Sequence, residues 1–471
     1  MAVLHFHIDK TASAPLFEQL CHQIRHFAHQ SLTQEVSRGA MAPFRLPSTR
    51  ALSLQLGISR ATVVQAYDQL TAEGYIESKQ GSGCYLCPVS HSELNPPSSP
   101  LASSHAATPK PHAAQAKPLL VPGKADMSLF PHRQWAASVA HVCRYQPQQL
   151  TLCDDLFGQW DLRQEIANYV KYWRGIDATP EQILITAGST AGIALCFRTL
   201  AKPKIQVGIE SPCYAAIHRH AEDTHLHIDD LPIDNHGAQL PNANTRLAVI
   251  TPSHQYPLGG AMHPQRRQAF IDWANHPDHW LIEDDYDSEF RYAGHPIPAL
   301  ASLDHHHKTL YLGSFSKLFS NQFRLGYLIL PPTLITPFRQ QLQSTSTSAT
   351  VMPQQPLAHF LREGHLYRYL RRARRHYAER YRYLVQLLKE RASRYGKPAI
   401  HHAGMSLVFH LNPDIPDKQV AERLSRHAVN PIPLSRFPSN DGEYNGLLLG
   451  FTHYSFDEIE KGIERLIAEL S

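Results

Sequence analysis

Apolar positions in the first ninety residues recur at helical spacing. Leu16, Leu20, Ile24 and Phe27 predict one amphipathic helix. Ser48 is a candidate N-cap for a second, short helix carrying Ala51, Leu52 and Leu56, and Gly57 stands where that helix must stop. After a three-residue turn Ser59 is placed to cap a third helix, with Val63, Tyr67 and Leu70 as its buried stripe and Gly74 at its end. Residues 75–78 and 84–86 then flank Lys79, Gln80, Gly81, Ser82 and Gly83, which predicts a hairpin. From residue 183 the pattern changes. Short apolar runs at 183–186, 206–210, 247–251, 280–284, 309–313 and 325–330 alternate with helical stretches, which predicts a mostly parallel sheet covered by helices. Further on, Leu366, Leu370, Ala373, Tyr377 and Tyr381 form the apolar stripe of a strongly basic helix over about 362–382.

Between these two patterns, residues 88–124 are rich in Pro, Ser and Ala and lack apolar periodicity, which reads as a flexible linker. The expected organisation is therefore a small unit over 1–87, a linker over 88–124 and a large unit over 125–471. Charged residues make up 18% and hydrophobic residues 42%, the composition of a globular chain. No apolar run reaches the roughly 18 residues of a membrane span, and the first ten residues lack a signal-peptide core. The seven cysteines then read as reduced thiols of a cytoplasmic protein, and the lone pair Cys84 and Cys87 lacks the second half of a zinc site, so no metal is expected. The His305, His306 and His307 run is placed in a loop. A net charge of +4 is too mild to argue for nucleic acid by itself, so that case rests on local pattern.

Two short helices joined by a tight turn, followed by a hairpin, describe a winged helix-turn-helix. In that arrangement the first residues of the second helix reach base edges, here Ser59, Arg60 and Thr62, and an arginine such as Arg60 can fork onto a guanine. Arg45, Ser48 and Arg50 stand near the start of the preceding helix, where phosphate contacts are expected, and Lys79 and Gly81 mark the wing tip. The run RLPSTRALSLQLGISRATVVQAYDQLTAEGYIESKQGSGCYL resembles the winged helix of the GntR superfamily. The resemblance implies a double-stranded DNA operator as partner and DNA contacts at Arg50, Ser59, Arg60, Thr62 and Gly81. One contact position that is often basic in that family is Val64 here.

In the large unit the strand ends carry the chemistry, as expected of an open α/β sheet. Gly188, Ser189 and Thr190 open a helix after a strand, a turn suited to a phosphate. The strand at 280–284 ends in Glu283, Asp284, Asp285 and Tyr286, and the next ends in Ser314, Phe315, Ser316 and Lys317, with Arg324 seven residues on. Together these supply what a pyridoxal 5'-phosphate (PLP) site requires. Lys317 offers the amine, Asp284 a partner for the ring nitrogen and Tyr286 one for the phenolic oxygen. Ser314, Ser316, Arg324 and the 188–190 turn are positioned to hold the phosphate, and Tyr214 to stack on the ring. The stretches TPSHQYPLGGAM, IEDDYDSEFRY, LGSFSKLFSNQFRLGYL and LLLGF resemble a fold-type I aminotransferase, of the subgroup fused to GntR heads and known as MocR or PdxR-like regulators. The resemblance implies a Schiff base on Lys317, a homodimer, and His254 near the phenolic oxygen where aminotransferases place an asparagine.

Two departures matter. A leucine of the 446–451 run stands where many aminotransferases carry an arginine for the substrate carboxylate, with Arg436 nearby as a substitute. A GABA-responsive relative has an arginine two residues past the tyrosine matched by Tyr214, where this chain has Ala216. The reading that follows is a PLP-dependent transcription regulator that senses PLP itself or an amine or amino-acid ligand, with at most residual half-transamination. The alternatives are a working aminotransferase with a DNA-binding head, and a regulator that has lost PLP. The arginine-rich helix at 362–382 reads as a solvated face or dimer contact, with a second DNA contact as the alternative.

Overall fold

The computed structural model describes residues 6–12, 14–35, 44–79, 82–87, 117–153, 155–201, 205–294, 297–319, 323–345, 349, 351–439 and 444–471. The chain divides into two compact units, Met1–Ala113 and Ala114–Ser471.

The small unit contains α1 (Leu16–Glu35), α2 (Thr49–Leu56), α3 (Arg60–Ala72), β1 (Ile76–Lys79) and β2 (Gly83–Leu86). The expected caps are in place. Ser48 accepts a hydrogen bond from Ala51 N, Ser59 accepts one from Thr62 N, and Gly57 sits in the left-handed region at φ +61°. That conformation favours glycine, so the turn between α2 and α3 is set by one residue. Leu20, Ile24, Leu52, Val63, Tyr67, Leu70 and Ile76 close one core. Of the apolar residues on α2, Ala51 faces solvent and Leu52 is buried. The strands β1 and β2 pair antiparallel with Lys79 opposite Gly83, which makes the predicted hairpin.

The large unit runs through α4 (His132–Tyr145), α5 (Trp160–Arg174), β3 (Ile183–Thr186), α6 (Ser189–Leu200), β4 (Gln206–Ser211), α7 (Ala215–Asp223), β5 (His227–Asp234), β6 (Gly237–Ala238), β7 (Thr245–Ile250), α8 (Pro264–Ala274), β8 (Trp280–Asp285), β9 (Thr309–Ser314) and β10 (Gly326–Ile329). It continues through α9 (Ile335–Thr345), α10 (Gln354–Arg362), α11 (His365–Arg391), β11 (Gly396–Pro398), β12 (Ser406–Leu411), α12 (Asp417–Arg426), β13 (Ile432–Pro433), β14 (Gly446–Gly450) and α13 (Phe456–Leu470). Eight strands form the main sheet in the order β3-β10-β9-β8-β7-β4-β5-β6. Strands β9, β8, β7, β4 and β5 are parallel, while β10 runs antiparallel to both neighbours. Alternate residues feed opposite cores. Leu310, Leu312 and Leu328 pack with α6, α7 and α9, whereas Tyr311, Tyr327 and Ile329 pack toward α5, α10 and α11. A second, antiparallel sheet in the order β11-β12-β14-β13 follows.

Two expectations need correction. The basic helix begins at His365, after Gly364 at φ +66° ends α10 at Arg362, and runs on to Arg391. Residues 117–124, assigned to the flexible linker, belong to the large unit. Leu119 N donates to Ala428 O, Gly450 N donates to Leu120 O, and Val121 N donates to the Tyr454 hydroxyl. Leu120 is fully buried against Gly462. Three apolar residues in a row, Leu119, Leu120 and Val121, are worth more inside than in water, and that outweighs the prolines on either side. If this strap is part of the fold, Leu120→Ala lowers the stability of the large unit by about 2–5 kcal/mol in calorimetry while the transition of the small unit stays where it was.

Candidate functional site

In the small unit, the N-cap Ser59 points its Oγ at Thr62 N (3.1 Å) and Thr62 Oγ1 (2.8 Å), which leaves Arg60 exposed at the first position of α3. Arg50 is exposed in the first turn of α2, beside its cap Ser48. Arg45 is exposed and bridges to Tyr85 of β2, with its guanidinium against Gly83. Lys79, at the end of β1, lies 3.6 Å from Glu77 and 5.5 Å from the centre of the Tyr85 ring. Gly81 lies outside the described residues. Val64 is exposed beside Arg60 on α3. These helix N-termini and the hairpin thus carry exposed cations, with Ser48, Ser59 and Thr62 engaged in capping.

In the large unit, a cavity of about 310 Å³ opens at the carboxyl ends of the main-sheet strands. Ten of the expected residues line it: Lys317, Asp284, Tyr286, Ser314, Ser316, Arg324, Gly188, Ser189, Thr190 and Tyr214. Its size lies at the lower end of the roughly 300–1,000 Å³ of small-molecule sites. Gly188, at φ +91°, caps α6 and presents the first N–H groups of that helix to the cavity beside Ser316 and Arg324.

The end of β8 sorts three consecutive carboxylates. Glu283 accepts Leu300 N (2.9 Å) and Ala301 N (2.8 Å) on one face. Asp285 is paired with Arg174 at 2.7 Å and accepts the Tyr311 hydroxyl at 2.6 Å. Asp284, between them, faces the cavity, and its buried Oδ1 has no hydrogen-bond partner among the described residues. Burial, reinforced by the charges of Asp285, Glu210 and Asp287, pushes the Asp284 carboxyl up to about 7. A buried acid in this state is stabilised by a cationic donor placed against it. Lys317 is half-buried, and burial lowers its ammonium despite the opposing charges of Asp287 and Asp284. Its Nζ lies 3.5 Å from the carbonyl of Gly123, in the strap. Gly123 sits at φ +72°, and a Cβ there would stand 2.8 Å from Nζ.

His254 lies behind the cavity wall. Its Nδ1 faces both the Tyr286 hydroxyl (2.9 Å) and Asp287 Oδ1 (3.0 Å). When Nδ1 donates to the carboxylate, the phenol proton of Tyr286 is free to point into the cavity. Burial holds that phenol well above its ordinary value, so it stays a donor. Sequence reasoning missed three residues here. Asp287 orients His254 and also accepts Met405 N at 3.3 Å from the second sheet. Glu210, pushed by burial to about 7, accepts Thr251 N (3.0 Å), the Thr251 hydroxyl and Gln255 Nε2 (3.3 Å), and so fixes the turn that carries His254. Gly123 came from a segment read as linker. The acidic run after β8 was the available signal for Asp287; the other two had none. Arg436 is exposed and stands outside the cavity lining, although its neighbour Phe437 contacts the ring of Tyr256, which does line it (5.5 Å). β14 presents only Gly446, Leu447, Leu448, Leu449 and Gly450, all buried.

The family of bacterial regulatory proteins of the gntR type matches residues 25–86, and the family of class I and II aminotransferases matches residues 126–442. The HTH-type pyridoxine biosynthesis transcriptional regulator PdxR of Corynebacterium glutamicum is 34% identical, over 94% of this chain and 93% of its own. The probable rhizopine catabolism regulatory protein MocR of Rhizobium meliloti is 30% identical, over 98% and 94%. Among solved structures, an archaeal alanine:glyoxylate aminotransferase is similar at 25% identity with a TM-score of 0.70, over 75% of this chain and 91% of its own. With a full-length match to such regulators and both units matched in order, the chain belongs to the family of HTH-type transcriptional regulators that join a gntR-type head to an aminotransferase class I and II domain.

Proposed function

We propose that this regulator holds PLP at Lys317 and that the state of this site governs how the head binds its operator. The observation that carries the reading is Asp284: a buried carboxylate whose Oδ1 has no hydrogen-bond partner among the described residues, in the lining of a cavity that also contains a half-buried lysine. The residues present fit PLP on chemical grounds. An acid raised to about 7 answers a protonated ring nitrogen, and the α6 N-terminus with Ser314, Ser316 and Arg324 answers a phosphate. When bound, PLP supplies an aldehyde that condenses with amines and a ring that withdraws electrons from them.

The chain's own residues then have separable tasks. Lys317, whose ammonium is lowered by burial, would offer the amine to which the cofactor attaches. Asp284 would hold the ring nitrogen and Tyr286 the phenolic oxygen, and His254 with Asp287 would orient the Tyr286 hydroxyl. Tyr214, at the open side and 47% exposed, covers a ring face. Arg436, exposed and next to Phe437, whose ring contacts the cavity-lining Tyr256, would receive the carboxylate of an incoming ligand. The ligand is PLP itself or an amine or amino-acid derivative. The carbonyl of Gly123 faces Lys317 Nζ, so a change of bonding at that nitrogen bears on the strap. In a cytoplasmic homodimer, two heads would read paired half-sites. The sensing role is favoured over turnover because β14 offers leucines where a fixed carboxylate clamp would stand.

Dialysed full-length protein is expected to carry the visible band of a lysine-bound cofactor, and Lys317→Ala to lose it together with any ligand effect on DNA binding. Arg60→Ala leaves the band intact and weakens operator binding by about 1–3 kcal/mol, read by anisotropy. An unchanged ligand effect in Lys317→Ala contradicts the reading. Arg436→Ala is expected to weaken the response to carboxylate-bearing amines at least tenfold, measured by the shift of the band, without weakening PLP retention.

A further inference from the structure

We propose that the solvent face of α11 is a second DNA surface, gripping phosphates that flank the site read by the head. This rests on the head being the DNA-binding unit. Helix α11 buries Leu366, Leu370, Ala373, Tyr377, Tyr381, Leu384 and Leu388 along one side. At 3.6 residues per turn the opposite side carries Arg368, Arg371, Arg375, Arg382 and Lys389, with Arg372 beside them, and all six are exposed. From Arg368 to Lys389 the stripe is about 31 Å long at 1.5 Å per residue.

The pairing pattern on this helix is uneven. Its other arginines are engaged: Arg374 lies over the Trp173 ring at 4.6 Å, Arg380 is 2.8 Å from Asp126, and Arg391 is 2.6 Å from Glu460. Among the described residues, none of the six stripe cations has a carboxylate within 4.0 Å. Arg368, Arg372 and Arg382 donate only to backbone carbonyls or to His365. The acids on this side of the helix are engaged elsewhere: Glu379 faces His376 at 4.0 Å and Glu390 accepts Gln386 Nε2 at 2.9 Å. At the N-terminal end the charge spreads to α4, where Arg133 shares a cavity of about 430 Å³ with Arg368 and Arg372. Leaving five arginines of one helix face without counter-charges costs self-repulsion that an external anion relieves.

Three features choose the partner. A second copy of the same stripe would repel it. A membrane-surface helix needs an apolar face to insert, and the apolar face of α11 is buried in its own fold. Duplex DNA carries a charge about every 1.7 Å of its axis, and the guanidinium fork matches phosphate oxygens. The head, on the same chain, holds that polyanion at high local concentration.

The test uses the full chain and the variant Arg371→Gln, Arg375→Gln, Arg382→Gln, whose substitutions lie on exposed positions; an unchanged melting temperature checks the fold. A short duplex selected by the wild-type chain from a random pool is compared with the same duplex extended by flanks of about three helical turns on each side. Wild type is expected to bind the long duplex more tightly and with a steeper salt dependence. The variant should keep its affinity for the short duplex and lose that gain, with the slope of log K against log salt falling by about 2–3, near 0.9 per lost phosphate contact. Equal affinity and slope for variant and wild type on the long duplex overturn the proposal. So does a variant that changes only in binding to phosphatidylserine vesicles. A wild-type chain that binds no selected duplex overturns the DNA reading of the head, and this inference with it.

Discussion

A buried carboxylate, one oxygen of which has no hydrogen-bond partner among the described residues, is the constraint around which the large unit is arranged. Strand alternation at the end of β8 sends Glu283 to two backbone amides and Asp285 to Arg174, and leaves Asp284 facing the cavity with an unpartnered oxygen. Arg174 is itself fixed by Ser253 at 2.6 Å and by Ile297 O at 2.7 Å, so it is not free to neutralise Asp284 instead. The fold therefore keeps an acid raised to about 7 at a strand end, a cost that is repaid only when a cation is placed against it. Lys317, Tyr286 and the phosphate-suited N-terminus of α6 open onto the same space.

From that acid the structure extends in two directions. One leads through Tyr286, His254 and Asp287 to Met405, and so to the second sheet. Gly404 is part of this path: a side chain there would overlap the His254 imidazole, so the turn before β12 seats directly on the ring. The other leads from Lys317 to Gly123 and along the strap to Leu120 and Leu119. A chemical event at the lysine nitrogen is thus one contact away from the strap, and the second sheet is reached through the Tyr286, His254 and Asp287 series on the same cavity wall. Short, stiff paths of this kind let a ligand favour one arrangement over another.

Much of this was legible in the sequence, for local reasons. Ser48, Gly57 and Ser59 announce their helices because caps and left-handed turns are properties of single residues. The strand-end residues were legible because an open α/β sheet collects its ligands there: ten of the eleven cofactor-site candidates line one cavity, and His254 stands behind its wall. What stayed hidden depends on tertiary context. The antiparallel direction of β10 leaves no mark in its apolar run. Strap residues 117–124 look like linker because their burial is made by partners more than three hundred residues away, such as Tyr454 and Gly450. Glu210 supports side chains that were foreseen and had no spacing signal of its own, whereas Asp287 was marked only by the acidic run after β8.

The central claim is that Asp284 waits for a protonated ring nitrogen, and the nitrogen can be observed directly. Full-length protein loaded with PLP labelled with nitrogen-15 in the ring would be compared with Asp284→Asn at mildly alkaline pH by solid-state NMR. The account predicts a protonated nitrogen in the wild type and an unprotonated one in the variant. An unprotonated nitrogen in the wild type, or the same shift in both proteins, would contradict it.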